Sequence, residues 1–335
     1  MGAPRWRVRF VWPVHAAKVG VRADDVRDRH AVYLVHVHTP WTLIANPTAG
    51  HGRSERAAHL SAALLRQSGR DVTLRFTERP GHGTELACAA VEAGHEAVIV
   101  CGGDGSVAEI LPVLAQTDTA MGLIPMGTGN DLARALAIPR NPKAAVRLLC
   151  AGQPRTIDLG RCGDTWFASI AAFGFDAEVS QIMKEGRAPL PGTAGYLLAS
   201  LRHMREYQSP RVRLSGDFGE IEQEIFLAAV ANTSSYGGGL RIAPEADPED
   251  GMFDVCVVDG AVPRSTLLRL MPRILWGGHV HHPCVRMVRT RWLRLEPLGG
   301  SHLLHADGES LATTPVTLHL VTKALRVIQA PMDVG

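Results

Sequence analysis

Apolar positions recur along this chain in two different rhythms, and the change from one to the other divides it. From Trp41 onward, short continuous apolar runs alternate with stretches whose apolar residues return every three or four positions. Residues 41–45 form such a run, which ends in the turn-forming Asn46-Pro47-Thr48-Ala49-Gly50. Ala57, Leu60, Ala63 and Leu64 then share a helical face. Residues 72–76, 97–101 and 121–124 predict further strands, with helices over 84–92, 106–115 and 131–137. Continuous apolar strands separated by helices imply a parallel sheet covered on both faces. Right-handed crossovers then set every strand-to-helix turn at one edge of it.

After about Gly152 strand-like runs dominate, at 155–162, 166–172, 211–214, 225–231, 253–258, 284–288, 292–296 and 316–320. Turn signals separate them, which predicts a mainly antiparallel second domain, a β-sandwich, with helical inserts at 194–207 and 265–276. Residues 1–40 carry little pattern beyond a strand-like stretch at 33–37. The expected organisation is an extension (1–40), an α/β domain with a parallel sheet (41–152), a β-rich domain (153–321) and a tail (322–335) able to return to the first domain.

Composition narrows the class. At 335 residues, 46% hydrophobic and 20% charged, the chain suits a folded protein of two domains. A net charge of +2 is too small to point to nucleic acid. The six cysteines, at 88, 101, 150, 162, 256 and 284, include no CxxC pair, which favours reduced cytoplasmic thiols over disulfides or zinc. No run approaches the roughly 20 apolar residues that span a bilayer, and Arg5, Arg7 and Arg9 interrupt any signal-peptide core.

Three turns carry candidate chemistry. Gly102-Gly103-Asp104-Gly105-Ser106 follows a buried strand and opens a helix, so bare amides and the helix dipole can meet phosphate oxygens. Asp104 can hold Mg²⁺ that bridges phosphates. Pro125-Met126-Gly127-Thr128-Gly129-Asn130-Asp131 repeats the arrangement after the next strand, and Asn46 to Gly50 ends the first. Each alone is equally a tight capped turn. Together, at the carboxyl edge of one parallel sheet, they favour a nucleotide site. GxxxxGK[ST], GxGxxG, HExxH and GxSxG are all missing.

These segments resemble the catalytic domain of the diacylglycerol kinase and sphingosine kinase superfamily, most closely its bacterial soluble lipid kinases, over residues 41–330. Phe173-Gly174-Phe175-Asp176-Ala177, Asp247-Pro248-Glu249-Asp250-Gly251-Met252-Phe253 and His305-Ala306-Asp307-Gly308-Glu309 extend the likeness. The resemblance implies ATP in a cleft between the α/β domain and a lipid-receiving sandwich. It implies ATP contacts from Asn46, Pro47, Thr48, Ala49, Gly50, Thr77, Gly102, Gly103, Asp104, Gly105, Ser106, Glu109, Gly127, Thr128, Gly129, Asn130 and Asp131. Glu309 would be the general base on the lipid hydroxyl, assisted by Asp307. A structural Mg²⁺ would take Asp250 and the carbonyls of Asp247 and Met252. Apolar Leu303, Leu304 and Leu311 around Glu309 suggest a partly dry setting. Ala108 departs from the family pattern, which has an amide side chain there.

From Arg264 to Arg294 the chain has seven arginines and no acid, interleaved with Leu267, Leu268, Leu270, Met271, Ile274, Leu275 and Trp276. Such a surface suits either an anionic membrane face or an ordinary solvated helix. His279, His281 and His282 lack carboxylate or cysteine partners, so a metal there is not expected. The predicted helix at 194–207, with Tyr196, Leu197, Leu198 and Leu201, is either core or the lining of a lipid pocket. The expected enzyme is cytoplasmic, peripheral to the inner face of the membrane, with a lipid substrate such as diacylglycerol. An NAD kinase-like enzyme and an inactive lipid or nucleotide sensor are the alternatives. Oligomeric state is not legible, and a homodimer remains open.

Overall fold

The computed structural model describes residues 40–50, 52–187 and 192–331. The strand expected at 33–37 lies outside the described residues, as do the side chains of Tyr196 and Leu197. The first lobe alternates β1 (Trp41–Ala45), α1 (Arg53–Gln67), β2 (Val72–Phe76), α2 (His82–Glu92), β3 (Ala97–Gly102), α3 (Asp104–Leu114), β4 (Ala120–Pro125), α4 (Asp131–Ala135) and α5 (Pro142–Ala151). Its strands lie parallel in the order β2-β1-β3-β4. Every residue of β1, β3 and β4 is buried, as a sheet covered on both faces requires. One core joins the sheet to α2 and α3 through Ile110, Leu111 and Leu114. The other joins it to α1 and α5 through Ala58, Leu65, Val146 and Leu149.

The second lobe holds β5 (Gln153–Cys162), β6 (Thr165–Phe167), β7 (Ile170–Gly174), α6 (Phe175–Lys184), α7 (Gly192–Glu206), β8 (Arg211–Gly216) and β9 (Gly219–Ala231). It continues through β10 (Phe253–Asp259), α8 (Arg264–Leu270), β11 (Val285–Thr290), β12 (Trp292–Pro297), β13 (Leu303–Ala306), β14 (Glu309–Thr313) and β15 (Val316–Gln329). The pairing within it is antiparallel. β9 serves two sheets. Its first half pairs β8, and its second half lies between β7 and β10. β15 also does double duty, pairing β12 and β5 and then reaching β4 in parallel at Val327 opposite Met121. The fold class is therefore the expected one, a parallel α/β lobe and an antiparallel β-rich lobe. Among the described residues no helix is long and apolar enough to cross a membrane.

Several elements differ from the sequence expectation for local reasons. The expected helix over 265–276 is α for one stretch only; Met271–Trp276 continues as 3-10 helix with Pro272 at its start. α5 was announced by a cap the apolar pattern does not register. Asn141 Oδ1 accepts from the amides of Lys143 and Ala144 at 3.0 and 3.2 Å, with Pro142 as first helical residue. The single run expected at 166–172 is two strands, because Ala168 and Ser169 between β6 and β7 give their amides to Asp307.

The sandwich core depends on one close approach. Phe167 stacks on Phe253 with centroids 5.8 Å apart, and its ring lies flat over Gly160, where a Cβ would stand 2.0 Å from a ring carbon. Gly160→Ala should therefore destabilise the protein by about 1–3 kcal/mol, the usual cost of overpacking. Urea denaturation measures this; an unchanged midpoint would show that the ring has room to move.

Candidate active site

The first lobe brings its three expected turns together at the carboxyl ends of β1, β3 and β4. They touch backbone to backbone. A Cβ at Gly127 would lie 2.6 Å from Gly103 Cα, and one at Gly50, whose φ is 61°, would lie 2.6 Å from the Met126 carbonyl oxygen. Side chains are excluded here, which leaves room for a ligand to meet amides directly. Among the described residues the N–H groups of Gly103, Gly105, Thr128 and Gly129 have no acceptor. Ser106 places its hydroxyl over Gly102, where a Cβ would stand 2.4 Å away.

Other expected ligand residues build the turns instead of facing outward. Asp104 Oδ2 accepts from Asn130 N and Oδ1 from Asp131 N, both at 2.7 Å, so one carboxylate ties the first glycine turn to the start of α4. Asn130 takes a left-handed conformation and closes the second turn. Its Oδ1 accepts from Gly127 N at 2.8 Å and its Nδ2 donates to Gly127 O at 2.7 Å. Asn46 Oδ1 accepts from the amide and hydroxyl of Thr48 at 3.0 and 2.8 Å, and Ala49 N donates to Asn46 O. The amides of Thr48 and Ala49 are thus spent inside the turn, and Asn46 N donates to Cys101 O on β3 at 3.2 Å. Thr77 N donates to Ala45 O at 2.9 Å, at the edge of the sheet. Glu109 points away from the turns: its Oε1 accepts from Gly83 N at 2.8 Å, at the start of α2.

The second lobe supplies the opposite wall. Asp104, Asp131 and Asp307 line one cleft with Val107, Leu132, Ala168 and Ser169. Asp131 crosses between the lobes, its two oxygens accepting from Gly237 N and Gly238 N at 2.8 and 2.9 Å. Asp307 has a left-handed backbone (φ 50°) and accepts from the amides of Ala168, Ser169 and Ile170 at 2.6, 2.9 and 3.3 Å. Burial pushes its carboxyl up to about 6; the three amides oppose that, and the charge of Asp104 adds to it. Burial also raises Asp131, with the nearby Asp104 charge contributing. Negative charge thus accumulates where a polyphosphate would bind. A cation held jointly with phosphate would relieve it, so the carboxylates of Asp104 and Asp307 suit a shared Mg²⁺.

Glu309, first residue of β14, is more open than its apolar neighbours suggest. Its side chain is 56% exposed and ion-paired with Lys184 at the end of α6. The partly dry setting expected for it is absent, because Leu303 and Leu311 belong to a hairpin whose outer side faces solvent. Beside it His305 is buried with neither ring nitrogen bonded among the described residues. Burial and then Lys184 lower its pKa.

In the acidic loop, where the resemblance implies a structural metal, the side chains make local contacts. Asp250 Oδ2 is in contact with the Arg289 guanidinium, and its Oδ1 accepts from Met252 N at 3.0 Å. Asp247 Oδ1 accepts from Glu249 N at 3.0 Å. Arg289 Nε also lies 3.5 Å from the buried Asp254. The Arg289 guanidinium thus lies against the carboxylate expected to hold a divalent cation. Asp158 stabilises this loop, accepting from Gly251 N at 2.8 Å and Lys323 N at 2.7 Å. The sequence patterns do not single out Asp158, Lys184 or the Gly237-Gly238-Gly239 run, of which only the triple glycine carries a local signal; His305 stands in the late Asp-Gly-Glu segment but its burial does not show in the sequence.

The diacylglycerol kinase catalytic domain model matches residues 40–162, and that of the YegS C-terminal NAD kinase beta sandwich-like domain matches residues 169–329. The chain belongs to the diacylglycerol kinase family and is a lipid kinase. It is 39% identical over 295 residues to a diacylglycerol kinase of Mycobacterium tuberculosis, across 86% of this chain and 94% of that one. It is 30% identical over 281 residues to a Pseudomonas aeruginosa protein named probable lipid kinase YegS-like, covering 83% and 91% of the two chains. A crystal structure titled as a diacylglycerol kinase from Bacillus anthracis superposes with a TM-score of 0.69 at 20% identity, covering 88% and 98%. That similarity supports the fold alone. Membership of the family implies the use of ATP.

Two outcomes follow for this lipid kinase. Protonating Asp307 removes an acceptor from three amides, so turnover should fall on the acid side with an apparent pKa near 6. The stability sign is opposite: a folded carboxyl with a raised pKa contributes less as pH rises from about 4 toward 6. Activity should therefore decline through this limb while thermal melts show no loss of folded protein; a flat profile down to pH 5 would count against the role of Asp307. Second, EDTA should shift the melting temperature of the apo protein by less than about 1 °C, whereas Arg289→Ala should lower it by about 2–4 °C. A large EDTA effect would instead support a structural metal at Asp250.

Proposed function

We propose that this lipid kinase transfers the γ-phosphate of ATP, with Mg²⁺, to the hydroxyl of diacylglycerol, giving phosphatidic acid at the inner face of a membrane. The observation that carries this reading is the single cleft lined by Asp104 and Asp307, residues separated by most of the chain. The names of the relatives support diacylglycerol as acceptor. In this reading residues 41–152 bind ATP, 153–321 receive the lipid, and the end of β15 joins the two.

Phosphoryl transfer mainly needs positioning and charge neutralisation. The open amides of Gly103, Gly105, Thr128 and Gly129 would hold phosphate oxygens, with the N-terminal end of α3 behind them. When bound, magnesium would neutralise the charge that develops on the transferred group. Asp307 holds the Ala168 to Ile170 backbone in place and so fixes the wall on which the hydroxyl rests. Glu309 takes the hydroxyl proton as the lipid oxygen bonds to phosphorus and ADP departs. For that it must leave Lys184, whose ammonium then remains as a positive group at the mouth of the cleft.

Glu309→Gln should lower lipid phosphorylation by about 10²- to 10⁴-fold, the usual worth of a general base, while ATP binding persists. Assays with labelled ATP against diacylglycerol, monoacylglycerol and sphingosine would measure it. Unchanged turnover in Glu309→Gln would remove Glu309 from the role, and preference for a sphingoid base would overturn the acceptor.

A further inference from the structure

The exposed apolar surface of the described residues is not spread evenly. Of seven large apolar side chains that stand open to solvent, Leu268 (43% exposed), Leu275 (57%) and Trp276 (62%) fall within nine residues of α8 and the 3-10 segment Met271–Trp276. The opposite face of the same segment is fixed: Leu267 and Leu270 are buried, and Met271 and Ile274 pack on the core beneath α8. The open face is therefore held rigidly by the fold.

Charge separates this face from its surroundings. No Asp or Glu occurs between Asp259 and Glu296. Most arginines of that stretch are engaged. Arg264 donates to the carbonyls of Met204 and Tyr207, Arg289 meets Asp250, Arg291 meets Asp217, and Arg294 meets Glu296. Arg269, Arg273 and, on β11, Arg286 are exposed and have no acidic partner among the described residues. The first two flank Leu268, Leu275 and Trp276.

We propose that this face is where the enzyme docks on an anionic phospholipid bilayer. Leu268, Leu275 and Trp276 enter the interfacial layer, and Arg269 and Arg273 meet lipid phosphates. A tryptophan beside leucines suits the headgroup boundary, where one end of the ring stays wet. Guanidinium groups pair well with phosphate oxygens. A second copy of this chain fits poorly, because a two-fold contact would set the same arginines against each other.

The position of the face gives it a link to the cleft. Arg241 N donates to Ile274 O at 2.9 Å, and the buried His279 ring bonds Ile242 O at 3.0 Å. A Cβ on Gly277 would lie 2.4 Å from Pro244. This same stretch begins with Gly237 and Gly238, whose amides hold Asp131. Contact with the bilayer is thus made a few residues from the loop that closes the cleft, which brings a lipid headgroup to the site without lifting it out of the membrane. The inference rests on the reading that the acceptor is a bilayer lipid.

The test uses the full chain without ATP, sedimented with vesicles of phosphatidylcholine alone or mixed with phosphatidylglycerol. Wild type should bind the anionic vesicles at least tenfold more tightly. Leu275→Ser with Trp276→Ser, and separately Arg269→Gln with Arg273→Gln, should each lose tenfold or more, an arginine near such a surface being worth roughly fivefold. Both variants should phosphorylate micellar dioctanoylglycerol at the wild-type rate and vesicle-borne diacylglycerol at least tenfold more slowly. Equal vesicle binding by variants and wild type overturns the proposal. So does a concentration-dependent dimer that Leu275→Ser with Trp276→Ser dissolves, since the face would then be a self-interface. If binding follows the prediction while no diacylglycerol is phosphorylated in either form, docking stands and the acceptor assignment fails.

Discussion

A carboxylate has two oxygens and can hold two or more amides at once, and this protein joins its distant parts with that capacity. Asp104 gathers Asn130 and Asp131, Asp131 gathers Gly237 and Gly238, Asp307 gathers Ala168 to Ile170, and Asp158 gathers Gly251 and Lys323. Hydrogen bonds to a charged acceptor are roughly twice as strong as neutral ones. Each of these aspartates fixes a turn contributed by a remote stretch of chain. Glycines are what make the arrangement possible, because only bare backbone lets Gly103 and Gly127 approach until their Cα atoms nearly touch.

The cost of this architecture is charge. Three aspartates share one cleft, and burial together with the charge of Asp104 raises the pKa of Asp131 and pushes that of Asp307 up to about 6. The protein tolerates this because the amides answer part of the charge. Arg134 and Arg140 face the carbonyls of the second glycine turn at 3.0 to 3.5 Å, which adds positive potential nearby. A site so balanced is prepared for a polyanion arriving with its own cation. Around Asp250 the balance is struck differently, with Arg289 bringing the positive charge from within the chain.

Much of the fold was legible because buried strands in a parallel sheet are apolar on both faces. β1, β2, β3 and β4 are found within a residue of the expected limits. α5 escaped because its signal lay in Asn141 and Pro142, a cap, and not in periodicity. β13 and β14 flank the Asp-Gly turn, where Leu303, Leu304 and Leu311 marked apolar strands on either side of it. At the site, the glycine turns and the Asp-Gly-Glu segment were readable as motifs. Which way each side chain points was not: Glu109 turns toward α2 and Asp104 braces a neighbouring loop, since orientation depends on tertiary partners that no local spacing encodes. Lys184 meets Glu309 across a separation in sequence that nothing local announces.

β15 carries a consequence for how the molecule is made. Its last residues, Leu325 to Gln329, pair with β5 and reach β4, so the sheet of the first lobe is completed by the far end of the chain. During synthesis the glycine turns of the first lobe precede the strand that borders β4 by about two hundred residues. Until that strand arrives, the edge of β4 stays unpaired, and an open strand edge is a template for association with another chain.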